Sequence, residues 1–206
     1  MWPNPADTQQ LLEGARRGDQ DAVEALLARH RDAVRRMIEL RLDHAIVQRV
    51  DASDVVQEVL VEVSRRLQEY LQKPVMPFHL WLRHIAKDHL IDAHRKHHQA
   101  KKRGVDREQP LAAPGWAEQS SLDLAGQLVD QELTPASAAI RHELERRLQD
   151  ALAKLDDDDR EMILMRHYEQ LPNQEVAAAL GLTEAAASMR YLRAIRRLRD
   201  LMAPNT

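Results

Sequence analysis

Cysteine is absent from the 206 residues. That removes disulfides, thiolate metal ligands and thiol nucleophiles together, and it fits a reducing cytoplasm. Glycine is scarce, at 6 residues, and aromatic residues make up 3% of the chain. Sheet-rich folds lean on aromatic and β-branched side chains, so a chain rich in Ala, Leu, Arg and Glu is expected to be almost wholly α-helical. No stretch approaches the roughly 20 apolar residues that cross a bilayer. The opening residues MWPNPADTQQ lack the basic region and apolar run of an export signal. A cytoplasmic protein with no membrane insertion is expected. Also missing are a nucleophile placed beside a base and a glycine loop that could cradle phosphate, so no catalytic residues and no enzyme activity are expected. The length allows one large domain or two small ones, and two small helical domains are the expectation.

What the chain does have is arginine in one place. Leu171 to Met202 reads as a helix, a tight turn and a second helix. Pro172 suits a first helical turn, and Val176, Ala177 and Leu180 recur at helical spacing. Gly181 breaks the pattern as the usual residue past a helix C-terminus, and Thr183 followed by Glu184 can cap the next helix. In that helix Ala187, Tyr191, Ala194, Leu198 and Leu201 fall on one stripe, while Arg190, Arg193, Arg196, Arg197 and Arg199 lie mostly off it. Small residues at Ala177 and Ala178 let the two helices cross closely. This is the pattern of a DNA-reading helix-turn-helix.

The net charge of -3 hides a segregation that matters more than the sum. Arg95, Lys96, Lys101, Lys102 and Arg103 form a basic cluster uninterrupted by acids, and the last helix forms another. Between them, Asp106 to Ala136 carries six acids against one arginine, and Asp156 to Asp159 is a further acidic run. Two basic patches separated by an acidic connector suggest two DNA contacts, with the connector kept off the phosphates.

Along the chain, residues 8–30 read as two short amphipathic pieces divided at Gly18-Asp19, the second continuing through Met37 and Leu40. Asp51 to Leu71 is a stronger helix, opened by Ser53 as a candidate N-cap. Its inward face is Val55, Val56, Val59, Val63, Leu67 and Tyr70, and its other side Asp54, Gln57, Glu58 and Glu62. Pro74 and Pro77 bound a loop. A further helix runs from Phe78 to about Lys102, with Leu82, Ile85, Ala86, His89 and Leu90 inside. Residues 104–134 have a linker composition, with local docking of Trp116 and of Leu122 to Leu133. Thr134-Pro135 then opens a long helix marked by Ile140, Leu144, Leu148, Leu152 and Leu155, and Asp159 to Tyr168 adds another. The domains so read are 1–103, an acidic flexible linker 104–134, and 135–206.

Several of these features coincide in one order. The run Asp51-Ala-Ser-Asp54-Val-Val-Gln57-Glu58-Val-Leu, then Phe78-His-Leu-Trp81-Leu82-Arg-His-Ile85-Ala86, then His89-Leu-Ile-Asp92-Ala-His-Arg95, resembles the N-terminal domain of bacterial sigma factors of the extracytoplasmic-function (ECF) group of the sigma-70 family. Leu152 to Leu198, with Arg160-Glu161, Glu175-Val-Ala, Leu180-Gly181-Leu182, Arg190 and Arg193-Ala194, is similar to their second domain. The resemblance covers nearly the whole chain apart from the connector.

It implies a dissociable, non-enzymatic RNA polymerase subunit that recognises a promoter and helps to open it. By similarity, Asp51, Asp54, Gln57 and Glu58 dock on core polymerase; acidic and amide groups on one helical face can pair with arginines of a partner coiled coil. Phe78, Trp81, His84, Lys87, Asp88, Ile91, Asp92 and Arg95 would handle the -10 element and its melting. Trp81 is as readily a core residue as a base-stacker. Phe78 and the proline-bounded loop before it are better candidates for gripping an unstacked base. Thr183, Ser188, Arg190, Arg193, Arg196 and Arg197 would enter or flank the major groove of the -35 element, where arginine reads guanine or clamps phosphate. Relatives often carry a β-branched residue and a lysine where Ala187 and Ser188 stand. The implied partners are core RNA polymerase, promoter DNA and an anti-sigma factor or other inhibitory protein. The third domain of housekeeping sigma factors is not seen.

The main rival is a helix-turn-helix regulator that binds DNA without core polymerase. A receiver domain in its N-terminal half would need strand-like runs, and none is found. Of the ten histidines, His94 and His98 share a helical face with His97 nearby, but no cysteine or carboxylate completes a metal site. No metal or other cofactor is expected.

Overall fold

The computed structural model describes residues 2–42, 51–101, 117–128 and 138–203, the side chains of 96–101, 118 and 138 excepted. Every regular element among them is helical, as composition required. The chain forms two compact units that divide at Gln109 and Pro110.

The first unit is built from α1 (Pro5–Arg16), α2 (Gln20–Glu39), α3 (Ala52–Gln72) and α4 (Phe78–Lys101). Each of the first three begins on a side-chain cap. Asn4 accepts from the Ala6 N–H at 2.9 Å, Asp19 from Asp21 and Ala22 at 3.0 and 3.2 Å, and Asp51 from Ser53 at 2.8 Å. The cap of α3 is therefore Asp51 rather than Ser53. At Gly14 an added Cβ would stand 2.6 Å from the Ala22 side chain, so α1 and α2 approach each other closely there. The valines and leucines predicted to face inward from α3 are all buried. They share one core with Leu26, Val34, Met37 and Ile38 of α2 and with Leu82, Ile85, Ala86 and Leu90 of α4.

The second unit contains α5 (Glu118–Leu128), α6 (Ala138–Ala153), α7 (Asp157–Ile163), a π-helical turn (Leu164–Tyr168), α8 (Asn173–Leu180) and α9 (Glu184–Met202). Helix α5 lies inside the stretch read from composition as linker. Its Leu124, Ala125 and Leu128 are buried, and the hydroxyls of Ser121 and Tyr168 are 3.0 Å apart. Within that helix, local docking was expected only from Leu122 onward; composition obscures the helix itself, because Gln119, Asp123, Gly126 and Gln127 on its exposed side average out its apolar face. On α6, Leu144, Leu148 and Leu152 are buried but Ile140 is exposed, at the less protected first turn. Leu155 is buried just beyond the helix. Trp116, Thr134 and Pro135 lie outside the described residues. So do the side chains of Lys96, Lys101, Lys102 and Arg103.

Candidate polymerase and DNA interfaces

On α3 the inward stripe leaves an opposite face on which Asp54, Gln57 and Glu58 are all exposed. Asp51 is exposed too, and one of its carboxylate oxygens is occupied in capping the helix. Asp54 makes no ion pair among the described residues, and Glu58 has only a loose one, 3.7 Å from Nδ1 of His89. Val61 stands 68% exposed one turn beyond Glu58. An isolated apolar side chain on a charged face is a weak sequence signal, and sequence reasoning passed over it.

Helix α4 separates its residues as sharply. His84, Asp88, Ile91, Asp92 and Arg95 are exposed and Lys87 is half-buried, so all six share the outer side of one helix. His84 and Asp88 approach to 3.9 Å. Phe78 and Trp81 are elsewhere. Both are buried, Trp81 stacked on Tyr70 with ring centroids 4.7 Å apart and Phe78 edge-on to His30 and Tyr70 at 5.1 and 5.5 Å. This corrects the assignment of both rings to base contact, because a stacking platform needs a free face and these faces are used in the core. The loop before α4 is pinned where the Tyr70 hydroxyl donates to the Met76 carbonyl at 2.9 Å. Between its two exposed prolines that loop exposes the large apolar side chains of Val75 and Met76.

His30 is buried in the same cluster. Its Nε2 is 3.2 Å from the Thr8 hydroxyl, and burial, with His79 and Arg29 nearby, lowers its pKa to about 4. His94 lies 3.3 Å from the Arg41 carbonyl, and the side chains of His97 and His98 fall outside the described residues. No group of three metal-ligating side chains occurs among the described residues.

The helix-turn-helix is α8, a turn at Gly181 with φ 65°, and α9. Glycine reaches that left-handed φ without a Cβ penalty, which is why the turn closes there. The Thr183 hydroxyl accepts from the Ala186 N–H at 3.2 Å, so Thr183 is the N-cap of α9. Val176 and Ala177 of α8 are buried, as are Ala187, Ala194 and Leu198 of α9, while Ala178 is exposed. Ala187 therefore faces the core and not the groove-reading side. Tyr191 is half-buried, its hydroxyl 2.9 Å from Nε2 of His167, with the Arg166 guanidinium 5.4 Å from the ring centre. Burial, with Arg166 beside it, lowers the His167 pKa.

Opposite this packing stripe stand Ser188, Arg193 and Arg196, all exposed. Met189 and Leu192, exposed by 57% and 47%, lie among them. Sequence reasoning, attending to arginine, missed these two. Arg190 and Arg197 occupy one flank, two turns apart. There Arg190 donates to Asp158 at 3.0 Å and Arg197 to Asp156 at 2.9 Å.

Two stretches of the chain, which between them carry these faces, match known families. Residues 26–100 match the family described as Sigma-70 region 2, and residues 145–198 match Sigma-70, region 4. RNA polymerase sigma factor CarQ of Myxococcus xanthus is 32% identical over 194 residues, 93% of this chain and 95% of that protein. The chain belongs to the sigma-70 family of RNA polymerase sigma factors. Within the family it is an ECF sigma factor. The ECF RNA polymerase sigma factor SigD of Mycobacterium tuberculosis is 31% identical over 89% of this chain and 78% of that protein. A solved structure of CnrH in complex with the cytosolic domain of CnrY is similar in fold, with a TM-score of 0.58 and 26% identity over 93% of this chain and 94% of that one. In this sigma factor the region 2 match takes in α3 and nearly all of α4, and the region 4 match runs from within α6 into α9. Helix α5 falls between the two. No helix among the described residues is long and apolar enough to cross a membrane.

Proposed function

We propose that this ECF sigma factor, which directs core RNA polymerase to promoters and promotes initiation, divides that work among three helical faces. The outer face of α3, with Asp51, Asp54, Gln57 and Glu58 around the apolar Val61, docks on core polymerase. Exposed carboxylates ringing one apolar contact suit a partner that offers arginines on a helical surface. The outer face of α4, from His84 to Arg95, meets the -10 element, with the Val75–Met76 loop beside it for an unstacked base. The outer side of α9, with Ser188, Arg193 and Arg196 on its crest and Arg190 and Arg197 on its flank, enters the major groove of the -35 element. There Arg193 and Arg196 supply guanine or phosphate contacts, and Met189 supplies an apolar surface of the kind that meets thymine methyl groups.

The domains that carry these faces are 1–103 and 135–206, with 104–134 between them and α5 docked on the second. The protein acts without catalysis of its own, in the cytoplasm where polymerase and promoter are. Its activity is held in check by an inhibitory partner of the anti-sigma class, by analogy with CnrH, whose structure contains a bound protein domain.

What carries the reading is the succession in one chain of an acidic docking face and a cationic groove-reading helix, each exposed on its own unit. The test is in vitro transcription by purified core polymerase on genomic fragments from the source organism, with and without this protein, mapping the starts. New starts that share two spaced motifs are expected. A chain that binds duplex tightly and specifically at physiological salt, yet neither binds core nor yields starts, would establish the stand-alone regulator instead.

A further inference from the structure

The acidic run Asp156 to Asp159 sits at the N-terminus of α7, against the flank of α9. Its carboxylates have separate tasks. One oxygen of Asp156 accepts the Asp159 N–H at 2.9 Å and so caps α7, while the other receives Arg197 at 2.9 Å. Asp158, 70% exposed, receives Arg190 at 3.0 Å. Asp157, between them, forms no ion pair among the described residues. Burial and Asp156 raise the pKa of Asp159, while Arg197, Arg190 and Arg193 act against that rise. Of the four arginines assigned to the -35 element, the two on this flank are therefore tied within the protein. Arg193 and Arg196 on the crest form no ion pair among the described residues.

A carboxylate and a phosphate oxygen present the same anionic acceptor to a guanidinium, so they compete for it. We propose that Asp156 and Asp158 are specificity-determining residues of the DNA-reading unit, their carboxylates occupying Arg197 and Arg190 as internal stand-ins for phosphate. A random duplex offers only phosphate in exchange for these carboxylates and gains little. A cognate element adds base-edge contacts to the crest of α9, and these contacts draw the flank arginines onto the DNA. The pairs thus withhold part of the helix's charge from non-specific binding, which is almost wholly electrostatic. This inference rests on the assignment of α9 to DNA.

The test is binding of the full chain to a non-cognate duplex across a salt series, read by fluorescence anisotropy, for Asp156→Asn, Asp158→Asn and Asp157→Asn. Asparagine at 156 keeps an oxygen to cap α7, so that variant removes the ion pair without removing the cap. Non-cognate binding is expected to tighten about 2- to 5-fold for Asp156→Asn and for Asp158→Asn, the range expected for one exposed ion pair. The slope of log affinity against log salt is expected to steepen by about 0.9 for each freed arginine that reaches a phosphate. Asp157→Asn removes the same charge from the same turn without freeing an arginine, and is expected to do neither. Equal effects from all three variants would reduce the finding to net charge and overturn the proposal. Unchanged binding at 156 and 158 would overturn it too, as would weaker binding, which would mean that the acids present the arginines to DNA. An Arg193→Ala/Arg196→Ala chain separates the two failures: if it binds duplex as well as the native chain, α9 is not the DNA face and the functional reading is at fault.

Discussion

On α3 the exposed Asp54 has no ion pair among the described residues and Glu58 only a distant histidine, whereas on α9 Arg190 and Arg197 each hold a carboxylate at 3.0 and 2.9 Å. Both helices bury one stripe and present the other, so packing does not explain the contrast. The partners do. An acidic face that docks on another protein gains discrimination from that partner's shape and from arginines placed to match, and it can stand ready. Nucleic acid is the commonest polyanion in a cell, and a cationic helix attracts every duplex through the same phosphates. The first surface is left open and one flank of the second is restrained, which on the proposed reading suits a subunit that finds polymerase before it finds DNA.

The strongest challenge to this contrast is to reverse the open face. Asp54→Arg combined with Glu58→Arg places two cations where the partner's arginines are expected, and losing close charge pairs at an interface costs several kcal/mol. Core binding is expected to fall by about 100-fold or more, measured by competition for core polymerase. Duplex binding by the same chain should hold steady or tighten slightly from the added charge. Both positions are exposed and pack against nothing in the core, so the fold should be retained. Core binding that survives the reversal would move the docking site elsewhere.

A second difference lies beneath the surfaces. The first unit encloses His30, with a pKa near 4 in the fold against an ordinary 6.5. The buried ring resists protonation while the unfolded chain accepts it, so the stabilisation is complete above pH 6.5. It falls steadily as the pH drops toward 4, and no further below that. The loss is at most about 3 kcal/mol. In the second unit burial also lowers the pKa of His167, but that ring is only half-buried. Amide exchange followed from pH 7 to pH 4.5 should therefore report the first unit opening more steeply with acid than the second. His30→Gln, which keeps an amide for Thr8 and cannot charge, should flatten that slope. Equal slopes in both units would remove His30 as the cause.

How legible each unit was in the sequence follows from the same physics. The inward stripe of α3, the exposed side of α4 and the turn at Gly181 were readable because each rests on period or on a single conformational demand, and both are written locally. Phe78 was misread as accessible and Trp81 left open, because aromatic residues beside a proline-bounded loop suit a base-gripping site or a core equally well. Only the positions of Tyr70 and His30 decide between the two. The stretch holding α5 was read as linker with local docking from Leu122 onward, but its helix and its start at Glu118 were not legible, because its apolar residues have meaning only against Tyr168 and the helices of the second unit. The ion pairs from Asp156 and Asp158 to α9 span 41 and 32 residues of sequence. The acids were visible as a run and the arginines as a stripe, but nothing in the spacing joined them.

Thr183 gives the smallest test and separates two roles that sequence reasoning left together. It was expected among the -35 contacts, and in the structure its hydroxyl caps α9 by accepting the Ala186 N–H. A cap of this kind is worth about 1 kcal/mol. Thr183→Ala should therefore destabilise the second unit by about that amount and leave the first untouched, while Thr183→Ser, which keeps the hydroxyl, should be nearly neutral. If capping is its whole task, transcription from promoters that depend on a -35 element should follow the folded fraction of the second unit and recover when the temperature is lowered. If the hydroxyl also reaches a phosphate, the alanine variant should stay weak at low temperature, and its salt dependence should resemble the native slope, because a neutral donor displaces no counterion. Either result places Thr183 at the junction between the restraint that orders α9 and the surface that α9 offers to DNA.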